Sequence, residues 1–393
     1  MSVLNGYRVL DFGRFIAGPY CATLLADFGA EVIRIEKVDG SEDRYMNPVA
    51  EDDSGALFLQ VNRNKRGMTL NPTRPAGREI VEKLVRTADV VVANLPPRGL
   101  KAIGLDYDTL KEIKPDIILT TVSAFGRGGP YSERVGFDGL GQGMSGGPYL
   151  AGVPGAPARD VLPVVDFGTA MSTAYGTLAA LLHREKTGQG QMVEGALLRT
   201  ALTYSNSYLI EQSVKKRDRV GTGNRSQLSG PSDILKVRDG WIMVQVVGQP
   251  LYERWVKMIG RPELLDDPRF RTDLDRGDNG EELSRIAGEH VRDMTVVEAL
   301  AAYEQAMVPA GPLLSPQQTL EDPHVNEIGY LQPHDYPGLA SPAPLAVTPV
   351  HLTDSDAEIR HRAPTLGEHT DEIMAELGYD EAMIAQLRGE RVI

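Results

Sequence analysis

The chain has 393 residues, 41% hydrophobic and 24% charged, with a net charge of −13. That balance excludes a disordered chain, provides core for two domains, and argues against a nucleic-acid or anionic-membrane binder. A single cysteine, Cys21, excludes a disulfide framework and a thiolate metal cluster and reads as a small core residue. No apolar run reaches bilayer length, and the opening MSVLNGYRVL lacks the basic and apolar segments of a secretory leader, so the expected location is the cytoplasm.

Residues 7–12 (YRVLDF) read as a strand, 19–28 as a helix and 31–36 (EVIRIE) as a strand, and the alternation continues over 76–87, 89–95, 107–113 and 116–122. Strands separated by helices imply a parallel sheet with helices on its faces, a Rossmann-like α/β layer. The turn after the first strand, Gly13-Arg14-Phe15-Ile16-Ala17-Gly18-Pro19, lacks the three-glycine spacing of nicotinamide enzymes, which disfavours a dehydrogenase. Basic residues recur just beyond predicted strand ends: Arg14, Lys37, the group Arg63-Asn64-Lys65-Arg66, Arg98 and Lys101. Open parallel sheets bind ligands outside the carboxyl ends of their strands, so this distribution is expected to surround one anionic cofactor with positive charge.

Residues 123–152 are glycine-rich and contain a G-x-S-x-G match at 143–147. No convincing strand precedes it, since 138–142 carries too much glycine, and a serine hydrolase is rejected. The next stretch, residues 162–191, organises the rest. Asp166 stands where an extended apolar run becomes a helix carrying Met171, Ala174, Tyr175, Leu178 and Leu182. Its residue-level reading is an N-cap, with the carboxylate accepting free helix amides; the same geometry would keep the acid ionised and fit it for nucleophilic work. Asp166-Phe167-Gly168 and Asp11-Phe12-Gly13 both spell the kinase metal motif, but no kinase catalytic or glycine loop precedes either.

A strand at 188–194 and a helix at 196–216 follow, then a polar, glycine- and serine-rich stretch at 218–231. A second unit begins with strands at 234–237 and 241–246 and continues with helices at 250–259, 281–293 and 296–306. A proline-rich, non-helical stretch at 332–349 leads to C-terminal helices at 371–377 and 380–387, the first capped by Thr370. The seven histidines never fall at metal-ligand spacing, and no metal is expected.

Several motifs in fixed order now form one pattern: Leu10-Asp11-Phe12 before Ala17-Gly18-Pro19, the run Gly29 to Glu36 (GAEVIRIE), Asn62-Arg63-Asn64-Lys65-Arg66, Pro130-Tyr131, Gly136-Phe137-Asp138, Asp166, Leu181 to Gln191 (LLHREKTGQGQ) and Leu366 to Glu372 (LGEHTDE). The pattern covers nearly the whole chain and resembles the class III CoA-transferases, the family of formyl-CoA and carnitine CoA-transferases and α-methylacyl-CoA racemases. The resemblance implies a large Rossmann-like domain (residues 1–217, completed by 351–393) and a smaller α+β domain (232–325), joined by linkers at 218–231 and 326–350, in an interlocked homodimer. It implies transfer of CoA from an acyl-CoA to a small carboxylic acid. Asp166 is the implied nucleophile, acting through an aspartyl mixed anhydride and an aspartyl-CoA thioester. No tightly bound cofactor, metal, nucleic acid or membrane partner is implied.

The alternative within the family is α-proton exchange by the racemases, which pair this aspartate with a histidine where Phe137 stands; its absence favours the transferase. The implied CoA contacts are Arg14, Phe15, Ala17, Lys37, Asn94, Leu95, Lys101, Phe137 and Asp138. The family arginine that follows Lys101 is here Ala102, Ile16 replaces the glutamine of formyl-CoA transferase, and Arg225 to Gly230 stands in place of its tetraglycine loop. These departures point away from formyl or oxalyl substrates toward a bulkier or more apolar acid.

Overall fold

Six strands, β1 (Arg8–Asp11), β2 (Glu31–Glu36), β3 (Lys65–Thr69), β4 (Val90–Ala93), β5 (Ile118–Ser123) and β6 (Met192–Ala196), form one sheet in the order β3-β2-β1-β4-β5-β6. Every neighbouring pair is parallel. The computed structural model describes residues 2–393. The helices between strands are α1 (Ala17–Asp27), α2 (Ala56–Val61), α3 (Pro75–Thr87), α4 (Pro97–Ala102), α5 (Tyr107–Ile113), α6 (Asp138–Met144), α7 (Gly147–Ala151) and α8 (Val164–Thr187), with α9 (Leu197–Lys215) after β6.

Apolar strand residues point to both faces of the sheet, and alternate ones feed two cores. Leu10, Ile33, Ile35, Val91 and Leu119 pack with Ile80 and Leu84 of α3 and Leu110 of α5. Val9, Val32, Val90, Val92 and Ile118 face the other way, onto α1 and α8. Double-sided burial of this kind is what a parallel sheet requires. Cys21 lies in the second core, where burial pushes its thiol up to about 12, in keeping with a packing role. The C-terminal helices α16 (Thr370–Glu376) and α17 (Glu381–Gly389) add Ile373, Met374, Ile384 and Leu387 to the first core.

Residues up to Ser145, Asp160–Leu209 and Ile328–Ile393 make one compact unit; Gly146–Arg159 and Ile210–Glu327 make another. The second unit contains an antiparallel sheet, β7 (Ser232–Lys236), β8 (Trp241–Gln245) and β9 (Ala310–Pro312). Around Trp255 it packs α10 (Gln249–Met258), α12 (Gly280–Val291) and α13 (Val296–Gln305), with the short α11 (Asp273–Asp278) before α12. Helices α14 (Pro316–Glu321) and α15 (Pro323–Ile328) follow, and in the first unit β10 (Leu331–His334) and β11 (Ala343–Ala346) form a hairpin inside the proline-rich stretch.

Some expectations shift. The strand expected at 188–194 begins at Met192, because Gly188 ends α8 in the left-handed conformation with φ 72°. Residues 138–144, too glycine-rich for a strand, form α6. Thr370 does not cap α16 with its side chain; its hydroxyl accepts the Thr69 amide at 3.1 Å, tying the C-terminal segment to β3.

The basic group at 63–66 is the main correction. It lies at the amino end of β3 and is consumed by internal ion pairs. Arg63 pairs with Asp27 at 2.7 Å, and Arg66 with Glu31 and Glu376 at 2.8 and 2.7 Å. Lys65 Nζ donates to Asp11, Asn62 and the carbonyls of Pro19 and Val61 at 2.7–3.0 Å. A sequence shows charge but not whether a partner waits for it in the interior.

Candidate active site

The strand order reverses direction between β1 and β4, and a crevice outside their carboxyl ends follows from that topology. The structure has a cavity of about 190 Å³ there. It is lined by Arg14, Phe15 and Ala17 after β1, Asn94, Leu95 and Pro96 after β4, and Val122 to Ala124 at the end of β5, together with Ser132, Arg134 to Phe137, Asp166 and Leu197.

The β1–α1 turn is held rigidly. The Arg14 amide donates to Asn94 Oδ1 and Asn94 Nδ2 donates to the Arg14 carbonyl, both at 2.6 Å. Asp11 accepts the Gly13 amide at 2.8 Å, and buried Arg34 donates to the Gly13 carbonyl. Gly13 admits no side chain, because a Cβ would stand 2.8 Å from the Pro19 backbone nitrogen. Within this clamp Phe15 takes φ +58°, a conformation costly for a bulky residue that persists where surrounding structure imposes it. Phe15 thereby meets Phe137 edge to face, centroids 5.2 Å apart, at the wall of the cavity. Arg14 Nη1 is buried without a hydrogen-bond partner among the described residues.

Asp166 is not the N-cap of α8. It lies in the first turn, two residues after Val164, and the capping position is Pro163, which offers no side-chain acceptor. The free amides are satisfied from α6: those of Val165 and Asp166 donate to Asp138 Oδ2 at 2.7 and 3.0 Å. Gln142 holds the other Asp138 oxygen, while its own Oε1 accepts the Asp160 amide at 3.0 Å. The Asp166 carboxylate accepts no hydrogen bond from a described residue. Burial first and the Asp138 charge second push it up to about 7. The expectation of an acid held ionised by the helix end is therefore corrected: the helix amides are occupied by Asp138.

Of the residues picked from sequence, the cavity gathers Arg14, Phe15, Ala17, Asn94, Leu95, Phe137 and Asp166. Lys37 is exposed and paired with Glu42, Lys101 is exposed on α4, and neither lines the cavity. Asp138 is buried and turned to the helix terminus. Sequence reasoning missed Ser132 and Arg134, which lie in a polar loop without a distinguishing motif. It also missed Gln142, whose only signal is its i,i+4 spacing from Asp138.

Fold and cavity define a doubly wound α/β enzyme with its ligand crevice at the topological switch point and a half-buried acid in it. The sequence model of CoA-transferase family III matches residues 4–370, and the chain belongs to that family. It is 32% identical over 395 residues to a succinyl-CoA–D-citramalate CoA-transferase of Chloroflexus aurantiacus, covering 99% of this chain and 98% of that protein. It is 31% identical over 400 residues to a human succinyl-CoA:glutarate CoA-transferase, with 99% and 90% covered. The crystal structure of a CAIB/BAIF family protein from Brucella suis superposes with a TM-score of 0.83 at 31% identity, covering 96% of this chain and 99% of that one. The protein is a family III CoA-transferase, an enzyme exchanging CoA between an acyl-CoA and a carboxylic acid.

Proposed function

We propose that the exchange runs through covalent adducts on Asp166. The observation that carries this reading is the acid's setting: a carboxylate in the strand-end crevice, partly desolvated, that accepts no hydrogen bond and makes no ion pair among the described residues. Such a group is a strong oxygen nucleophile once ionised. Its oxygen attacks the thioester carbonyl, the C–S bond breaks, and an aspartyl mixed anhydride and CoA thiolate result. Thiolate then attacks Cγ of Asp166, expelling the first carboxylate and leaving an aspartyl-CoA thioester. The acceptor carboxylate attacks that thioester and releases thiolate. Thiolate takes the new acyl group and restores the Asp166 carboxylate. Each step exchanges one acyl bond for another, so no external oxidant or net proton is needed.

The crevice suits the ligand. Arg14 carries an unpartnered guanidinium nitrogen for a phosphate oxygen, Phe15, Leu95 and Phe137 offer apolar wall to the pantetheine arm, and Lys37 and Lys101 contact the nucleotide from outside the cavity. No histidine lines the cavity among the described residues, which speaks against α-proton exchange, a reaction needing a second acid across the substrate. The working form is an interlocked homodimer. Exposed Met171, Tyr175 and Leu182 on one side of α8 support a covered surface there. The relatives' names put succinyl-CoA and short dicarboxylic acids first in a substrate panel, with more apolar acids second.

The test is incubation with succinyl-CoA, trapping by hydroxylamine, and peptide mass mapping. A hydroxamate at Asp166 is expected. CoA transfer without modification at Asp166 would exclude the covalent route.

A further inference from the structure

We propose that Asp138 is a positioning residue for Asp166: it replaces the missing local cap of α8, fixes the Asp166 backbone, and occupies the helix amides so that the Asp166 carboxylate stays basic. This rests on the reading of Asp166 as nucleophile and differs from a CoA-contact role for Asp138.

Three observations converge. Asp138 Oδ2 receives the amides of both Val165 and Asp166, the two donors that a side chain at the cap would take. Its position is fixed independently through Gln142, which also holds the Asp160 amide at 3.0 Å and so anchors the segment that leads into α8. Asp138 is nine-tenths or more buried, so its charge acts on Asp166 with little screening.

The consequence follows from charge and donors. A carboxylate bonded to helix amides becomes a weaker base, and one beside a second anion becomes a stronger base. Asp138 does both in the same direction, taking the amides and supplying the anion. The other charged or titratable groups around Asp166 are Arg14 of the β1–α1 turn, Arg134 of the loop before α6, and Tyr204 of α9, whose hydroxyl would stand 1.6 Å from a Cβ at Gly168. Helix α1 and strand β5 present Ala17, Val122 and Ser123 to the cavity. Beside these groups, Asp138 is the one whose side chain bonds the Asp166 amide.

The test reads the Asp166 carboxyl itself, by isotope-edited infrared titration of wild type and D138N, with D166N subtracted to assign the band. Wild type is expected to titrate at about 7. D138N, which keeps an acceptor oxygen for the two amides but loses the charge, is expected to titrate at least about one pH unit lower. The acid limb of kcat should move with it, with KM for acyl-CoA changed less than about threefold. An Asp166 carboxyl that titrates at the same pH in D138N overturns the proposal. Should D138N fold poorly, Q142A serves as the second variant: it frees the outer Asp138 oxygen, and loosened capping should lower kcat severalfold at unchanged KM. Unchanged kcat in Q142A would count against positioning. Because the titration needs no turnover, it is separable from the covalent reading, which fails only if wild type yields no Asp166 hydroxamate.

Discussion

Asp11 is fully buried and Asp166 half-buried, both beside the carboxyl ends of the same sheet, yet their surroundings are opposite. Asp11, fully buried, is met by Lys65 at 2.8 Å, by Arg34 at 3.6 Å and by the Gly13 amide. Burial alone would raise it, but the Lys65 and Arg34 charges and these hydrogen bonds hold it below the usual carboxylate range. Asp166 has burial without compensation and an anion for a neighbour, and it is pushed up to about 7. The first arrangement builds the β1–α1 turn, and the second leaves an acid without a hydrogen-bond donor among the described residues facing the cavity. Satisfied buried charge is structural, whereas unsatisfied buried charge in a crevice is where chemistry is expected.

The largest way to break this contrast is D166N. Its CoA-transferase kcat should fall by at least about 10³-fold. The ionised form of Asp166 is disfavoured in the fold, so the stability tied to its raised value is full at low pH and lost as pH rises through about 7. D166N should therefore melt higher than wild type at pH 8, with the gain shrinking toward pH 4. Calorimetry at the two pH values checks the sign.

K65M attacks the satisfied side. It takes the Lys65 charge from Asp11, leaving Arg34 and the Gly13 amide, and removes the donor from Asn62 and two carbonyls. Breaking one partner of a buried pair costs about 3–5 kcal/mol, readable by urea denaturation. Burial pushes Lys65 down to about 8, while Asp11 and the acceptor oxygens around its ammonium favour the charged form.

N94A sits between the two regions, because Asn94 holds the turn that carries Arg14 and Phe15. Releasing the left-handed Phe15 should raise KM for acyl-CoA about tenfold, with kcat changed far less. Steady-state kinetics separates these terms. The smallest effect belongs to K37A and K101A, single exposed charges outside the cavity. Each should raise KM by no more than about fivefold, and 0.5 M salt added to wild type should erase most of the difference.

Much of this was legible. The alternation of β-branched runs and amphipathic segments gave the parallel layer, since periodicity reports burial directly. Strand β3 escaped because KRGMT has no β-branched residue before its last position, and α6 escaped because DGLGQGM carries three glycines. Asp166 was recognisable at a junction and through its motif context, and Arg14, Phe15, Ala17, Asn94, Leu95 and Phe137 of the cavity lining came with it.

By itself, the sequence determined the strand–helix alternation, the family, the position of Asp166 at a helix start, and the absence of a histidine beside Asp138. Only the tertiary structure decided what each charge does. The 63–66 group turned inward to pair with Asp11, Asp27, Glu31 and Glu376, and the cap of α8 came from Asp138, 28 residues before Asp166. The physical reason is that a side chain's protonation and bonding depend on burial and on partners distant along the chain, which no local pattern encodes.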